Sequence, residues 1–103
     1  MLFESKCRAI VGDIVAMVAP RKVILFGSIA KGAPRPKDID LLIVMPNGAR
    51  CREVAQKLYR DVPRHGMAID LVVITEQDLT DQADAPWSVI CHALKDGKVL
   101  YAA

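Results

Sequence analysis

The chain has 103 residues, of which 52% are hydrophobic, so we expect one domain with one core over residues 1–103. The 14 basic residues and 12 acidic residues leave a net charge of +2. This balance excludes an extended electropositive surface of the kind that dominates nucleic-acid binding.

Cysteine usage and hydropathy indicate the compartment. The three cysteines, Cys7, Cys51 and Cys91, match no zinc spacing, and free thiols fit a reducing environment. Charged side chains interrupt every apolar run near the N-terminus, so we predict neither a signal peptide nor a membrane span. We expect a cytoplasmic protein and leave its homo-oligomeric state open.

The first half of the chain predicts a helix followed by two strands. Apolar residues recur at helical spacing from Cys7 to Val18, and Pro20 ends that helix. The apolar run at residues 23–26 predicts a buried strand, and residues 38–44 predict a second one. Between the strands we predict a short helical turn capped by Ser28, followed by a stiff loop that contains two prolines.

The second half predicts helix, strand, helix and a short extended end. Residues 51–62 have a helical apolar face, and residues 68–74 form a third strand. Asp84 is the expected cap of a last helix, in which Trp87 belongs to the apolar face and Gly97 follows the end. Residues 98–101 predict a terminal strand or an extended tail. This order of elements predicts an α/β sandwich, a small mixed sheet flanked by helices.

Three aspartates lie in predicted strands that are otherwise apolar, where packing does not explain a charged side chain. Asp38 and Asp40 are two residues apart, so they point to one face of the second strand, and Asp70 lies near the start of the third strand. Neighbouring carboxylates repel one another and are costly to bury, whereas a hard divalent cation accepts oxygen ligands. The alternative is that Asp38 caps a turn and Asp40 occupies an exposed strand end.

A glycine and a serine directly follow the first strand. Gly27 allows a phosphate to approach the backbone, and Ser28 at a helix start offers N–H and hydroxyl donors to phosphate oxygens. Lys31 and Arg35 are available to neutralise phosphate charge. An ordinary turn with solvated basic side chains is the alternative interpretation for these residues.

The combined motif resembles the DNA polymerase β superfamily, and more specifically its minimal nucleotidyltransferases. The resemblance rests on residues 25–32, LFGSIAKG, and on residues 38–44, DIDLLIV, together with the order of elements over nearly the whole chain. It implies a polymerase β-like nucleotidyltransferase fold. It also implies that Asp38, Asp40 and Asp70 are the catalytic, metal-binding residues, with two Mg²⁺ ions, or Mn²⁺ in their place.

The same resemblance implies a substrate and a partner. Gly27, Ser28 and Lys31 would bind ATP or another nucleoside triphosphate, and Asp70 would help to deprotonate the attacking hydroxyl group. Minimal nucleotidyltransferases occur as antitoxins with helical HEPN toxins, and some of them transfer AMP to a tyrosine of the toxin. The leading hypothesis is therefore adenylylation of a partner protein.

Two other hypotheses stay open at this point. The chain is alternatively an inactive binding module that neutralises or scaffolds a partner by contact, although the three aspartates argue against lost catalysis. A small-molecule nucleotidyltransferase of the antibiotic-modifying kind is the third option, but such enzymes usually carry a second domain for the acceptor, for which 103 residues leave no room.

Overall fold

The computed structural model describes residues 3–27 and 38–103. Its helices and strands are, in chain order, α1 (Phe3–Val18), β1 (Lys22–Phe26), β2 (Asp38–Met45), α2 (Cys51–Asp61), β3 (Ala68–Thr75), α3 (Glu76–Gln82), α4 (Val89–Asp96) and β4 (Lys98–Ala102). The predicted α/β class with a mixed sheet flanked by helices is confirmed. The helical turn predicted after Ser28 and the proline loop lie outside the described residues.

The four strands form one sheet in the order β3-β2-β1-β4. β1 pairs antiparallel with both β2 and β4, whereas β2 and β3 run parallel. The parallel pair needs a crossover connection, and α2 lies within that connection. The expected terminal strand or tail is a strand, because β4 pairs along β1.

One face of the sheet is covered by α1 and α2. Alternate residues of the strands point to this face and meet the apolar stripe of α1. The buried members of this larger core are Cys7, Ile10, Val11, Ile14, Val23, Leu25, Ile39, Leu41, Ile43, Met45, Leu58, Val62 and Ile69. The helical periodicity of α1 and α2 therefore supplies the layer that buries this side of the strands.

The opposite face has a smaller core under α3 and α4. Its buried members are Ile24, Leu42, Val44, Ile74, Ile90 and Ala93, and Phe26, Val72 and Leu79 pack against them. Gly97, which follows α4, is needed here because a Cβ would overlap the carbonyl oxygen of Ala93 and lie 2.8 Å from Ile24 Cγ2. The close approach brings α4 and the start of β4 against β1.

The prediction missed α3, and the signal was present in the sequence. Thr75 accepts a hydrogen bond from the backbone N–H of Asp78 (3.2 Å), and the Asp78 carboxylate accepts one from the N–H of Thr75 (3.1 Å). This reciprocal capping box starts the helix. The helix contains no buried residue, so it lacks the apolar periodicity on which the prediction depended.

The predicted start of the last helix was wrong. Ser88, not Asp84, is the cap: its buried hydroxyl accepts a hydrogen bond from the N–H of Ile90 (3.1 Å) and donates one to Gln82 Oε1 (2.7 Å). Trp87 precedes the helix and is 78% exposed, so it is not part of the apolar face. The second hydrogen bond of Ser88 links the end of α3 to the start of α4, and no local pattern predicts that contact.

None of the helices among the described residues combines the length and apolar character that a bilayer crossing requires.

Candidate functional site

Three side chains form a row across the sheet near one end. Phe26 on β1 lies opposite Asp40 on β2, and Asp40 lies opposite Asp70 on β3. Directly paired residues of neighbouring strands share a face. The row therefore runs Asp70–Asp40–Phe26, and Asp38 is two residues from Asp40 on the same face.

The row borders the smaller core. The next residues inward on the same face include Leu42 and Ile24, both buried, whereas Asp40 is half-buried and Asp38 and Asp70 are exposed. Side chains alternate along a strand, so residues two apart point to the same face, and Asp38, Asp40 and Leu42 therefore share one. The apolar layer under α3 and α4 ends where the carboxylates begin.

The backbone of Gly27 lies against the Asp40 carboxylate. Its φ of +82° lies in the left-handed region, and a Cβ at this position would overlap the Asp40 carboxylate. Glycine is therefore required for the backbone to turn after β1 and for the carboxylate to approach it. The glycine singled out in the sequence is a neighbour of the aspartates in the fold.

The electrostatics of the row centre on Asp40. Burial raises the pKa of the Asp40 carboxyl above its usual value, and the charges of Asp70 and then Asp38 raise it further. A side-chain hydrogen bond with Asp70 acts in the same direction. The repulsion among the three carboxylates is therefore felt most strongly at Asp40, the half-buried member of the row.

The donor chemistry of the row fits a divalent cation. Carboxylate oxygens are the ligands that Mg²⁺ prefers, and a cation would relieve the repulsion that now raises the proton affinity of Asp40. Within residues 3–27 and 38–103, however, no group of three or more histidine, cysteine, aspartate or glutamate side chains is already arranged to hold a metal ion. The pair of Asp40 and Asp70 is in contact, and Asp38 is the third donor on this face.

A tyrosine from α2 supports the strand that carries Asp70. β3 is an edge strand, and its Leu71 N–H donates to the Tyr59 hydroxyl at 2.7 Å, which in turn donates to the Leu71 carbonyl oxygen at 3.4 Å. Arg64 lies over the Tyr59 ring, with its guanidinium carbon 5.8 Å from the ring centroid. These contacts hold the edge backbone directly beside Asp70.

A pocket of about 120 Å³ lies next to the aspartates and not around them. Phe26, Gly27, His92 and Asp96 line it, so it is bounded by the end of β1 and by α4. The sequence singled out only Gly27 among these residues. Two signals were available: Phe26 precedes the glycine, and His92 and Asp96 have the four-residue spacing that places them on one helix face.

The residues predicted for the site divide into two groups. The structure places Asp38, Asp40, Asp70 and Gly27 on or beside the row, while their chemical roles stay predictions. Ser28 and Lys31 lie outside the described residues.

A protein-family model described as polymerase beta, nucleotidyltransferase, matches residues 13–103 of this chain. No curated protein matches the chain.

Solved structures share the fold. A candidate nucleotidyltransferase from Sulfolobus solfataricus superposes with a TM-score of 0.61 at 20% identity, covering 96% of this chain and 85% of that chain. A toxin–antitoxin crystallised with AMP-PNP has a TM-score of 0.55 at 25% identity, covering 99% and 75%. A mutant of the toxin–antitoxin MntA-HpeT has a TM-score of 0.54 at 23% identity, covering 100% and 75%.

Proposed function

We propose, because the chain belongs to the polymerase β nucleotidyltransferase family, that it transfers a nucleoside monophosphate, AMP from ATP, to a hydroxyl group of a partner protein. The observation that carries the proposal is the row of Asp70, Asp40 and Phe26 with Gly27 against the central carboxylate. Two paired carboxylates beside a glycine turn are suited to bind a metal–triphosphate and to accept a proton.

The carboxylates have separate roles in this proposal. Asp38, Asp40 and Asp70 would hold Mg²⁺, which when bound neutralises phosphate charge and stabilises the entering and leaving oxygens. The acceptor hydroxyl oxygen bonds to the α-phosphorus while the bond from that phosphorus to the bridging oxygen breaks, and pyrophosphate leaves. Asp70 takes the hydroxyl proton, since its exposed carboxylate is at the accessible end of the row.

The choice of partner follows from the neighbours in fold. One similar toxin–antitoxin was crystallised with AMP-PNP, an ATP analogue, and another is MntA-HpeT. These support a toxin–antitoxin pair with ATP as the donor. The sequence resemblance adds the expectation that the partner is a helical HEPN toxin and that this chain is its antitoxin. Cysteine usage adds the expectation of a cytoplasmic location.

An inactive binding module is the second candidate. The observation in its favour is that no group of three metal-ligating side chains is preassembled among the described residues. A binding module would form the complex with the partner but would transfer nothing to it.

The deciding experiment is transfer of label from α-³²P-ATP to a purified HEPN partner with Mg²⁺ or Mn²⁺. We expect labelled partner with the native chain and a loss of roughly a thousandfold for Asp40→Asn, because metal stabilisation of the phosphoryl centre is worth several kcal/mol. Asp84→Asn is the matched control, since it removes an exposed carboxylate outside the row and should transfer normally.

Thermal melts separate catalysis from folding. Millimolar Mg²⁺ with ATP should raise the Tm of the native chain and of Asp84→Asn, but not that of Asp40→Asn. A native chain that binds the partner without transfer and without a metal-dependent Tm shift would reject the enzyme proposal in favour of the binding module.

A further inference from the structure

The pocket beside the aspartates has walls of two chemical kinds. Phe26 contributes a half-buried aromatic ring whose other contacts are with the smaller core. His92 and Asp96 are exposed and lie one helical turn apart on α4, so both face the opening. A flat apolar surface with hydrogen-bonding groups at its rim is the combination that protein sites use to bind a nucleobase.

The position of the pocket ties it to the carboxylates. Phe26 is the β1 neighbour of Asp40, which places the two residues one strand spacing, about 5 Å, apart. Gly27 connects the pocket with the carboxylate row, because it lines the pocket and lies against the Asp40 carboxylate. A molecule with a charged end at the aspartates can therefore reach the pocket with its other end.

We infer that the pocket formed by Phe26, Gly27, His92 and Asp96 is the subsite for the base of the donor nucleotide. The inference rests on the proposed function, since it takes the triphosphate of the same nucleotide to lie at the aspartates. The base packs against the Phe26 ring, and the His92 imidazole hydrogen-bonds to the polar edge of the base.

A nucleobase suits this pocket better than the acceptor does. The volume of about 120 Å³ accommodates one planar group, and α4 bounds it on one side. An acceptor hydroxyl carried by a folded protein needs an open approach, which the exposed carboxylates Asp38 and Asp70 provide. The two ends of the row therefore differ, because α4 flanks the end at Phe26 and the carboxylate at the other end, Asp70, is exposed.

The test compares two probes that share a triphosphate chain and differ in the base. Binding of ATP and of inorganic tripolyphosphate to the full chain is measured by calorimetry in Mg²⁺. The variants are His92→Ala, which removes the exposed imidazole, and Phe26→Leu, which keeps apolar volume in the core but removes the aromatic face. Val89→Ala is the matched control, because Val89 is exposed and lies one turn before His92 on α4.

The inference makes a differential prediction. ATP affinity should fall about fivefold in His92→Ala, the loss of one hydrogen bond. It should fall about tenfold in Phe26→Leu, the loss of aromatic stacking on a base. Tripolyphosphate affinity should stay at the native value in both variants, and Val89→Ala should bind both probes normally.

Three outcomes would overturn the inference, and they are distinguishable. Unchanged ATP affinity in His92→Ala and Phe26→Leu means that the base binds elsewhere. Unchanged ATP affinity together with slower transfer to the partner assigns the pocket to the acceptor. If the native chain binds neither probe in a Mg²⁺-dependent way, the proposed function itself fails, and the subsite fails with it.

Discussion

The two faces of the sheet are built from the same strands but have different uses. On β2, Ile39, Leu41 and Ile43 face α1 and α2 and are 0% exposed, and Met45 on the same face is 6% exposed. On the other face, side-chain burial increases along the same strand, from exposed Asp38 through half-buried Asp40 to buried Leu42. One face is covered from end to end, and the other is covered only in part.

The difference explains where a site can form. α1 has 16 residues and contributes several buried side chains, whereas α3 has seven residues and α4 has eight. The short helices leave the Asp70–Asp40–Phe26 row at the edge of their cover. Carboxylates at that edge keep part of their hydration, and a bound cation can reach them, which a fully covered face would prevent.

The largest expected effect comes from adding a charge inside the buried part of the face that α3 and α4 cover. Leu42→Asp puts an unpaired carboxylate two residues deeper on the same strand face, where the native side chain is fully buried. The cost of more than about 4 kcal/mol is comparable to the stability of a small domain, so the variant should be unfolded by circular dichroism. Leu42→Met is the control and should melt cooperatively. A native-like melt for Leu42→Asp would show that solvent reaches further under α4 than the burial indicates.

Truncations on the two faces should differ in cost. Ile14→Ala, on α1, removes a fully buried side chain and should cost about 3–4 kcal/mol, whereas Leu79→Ala removes a half-buried side chain on α3 and should cost about 1–2 kcal/mol. Urea unfolding monitored by circular dichroism measures both values. Equal costs would mean that the face under α3 and α4 is packed as tightly as the face under α1 and α2.

Neutralising Asp40 should stabilise the chain when no divalent cation is present. The folded-state pKa of Asp40 lies above its usual value, so the carboxyl contributes stability below about pH 4, and this contribution is lost as pH rises through the folded-state pKa. Asp40→Asn avoids that loss, and its Tm in a chelator should exceed the native one at pH 7.

The pH series provides the control for this prediction. The advantage of Asp40→Asn should shrink toward zero near pH 3, where native Asp40 is protonated in both folded and unfolded chains. Asp84→Asn is the control, because it removes an exposed carboxylate outside the row and should not reproduce the gain in Tm at pH 7. A variant less stable than the native chain at pH 7 would show that burial and the neighbouring carboxylates do not raise the pKa of Asp40.

The smallest expected effect concerns the tryptophan outside the core. Trp87→Ser should change the free energy of unfolding by no more than about 0.5 kcal/mol, because the side chain is 78% exposed and precedes α4. Denaturant titration measures the change. Ser88→Ala is the contrasting variant, since it removes the cap of α4 and its bond to Gln82, and it should cost about 1 kcal/mol.

Local patterns determined most of the secondary structure. Helical periodicity predicted α1 and α2, and short apolar runs bounded by turn residues predicted β1, β2 and β3, because these elements bury one face or both. The pattern failed at α3, whose capping box carries little apolar signal, and at the start of α4. There the helix begins after Ser88, whose side chain hydrogen-bonds to Gln82, a residue on another element.

The sequence by itself also determined which residue types the candidate site contains. Asp38 and Asp40 share a face because the backbone of a strand alternates, and that holds in any fold that keeps the strand. Only the tertiary structure decided that β3 lies parallel beside β2 with Asp70 opposite Asp40, and that Phe26, His92 and Asp96 meet around Gly27. Strand register and helix docking depend on contacts between residues far apart in the chain. No local spacing encodes those contacts, because their free energy appears only when both partners are buried together.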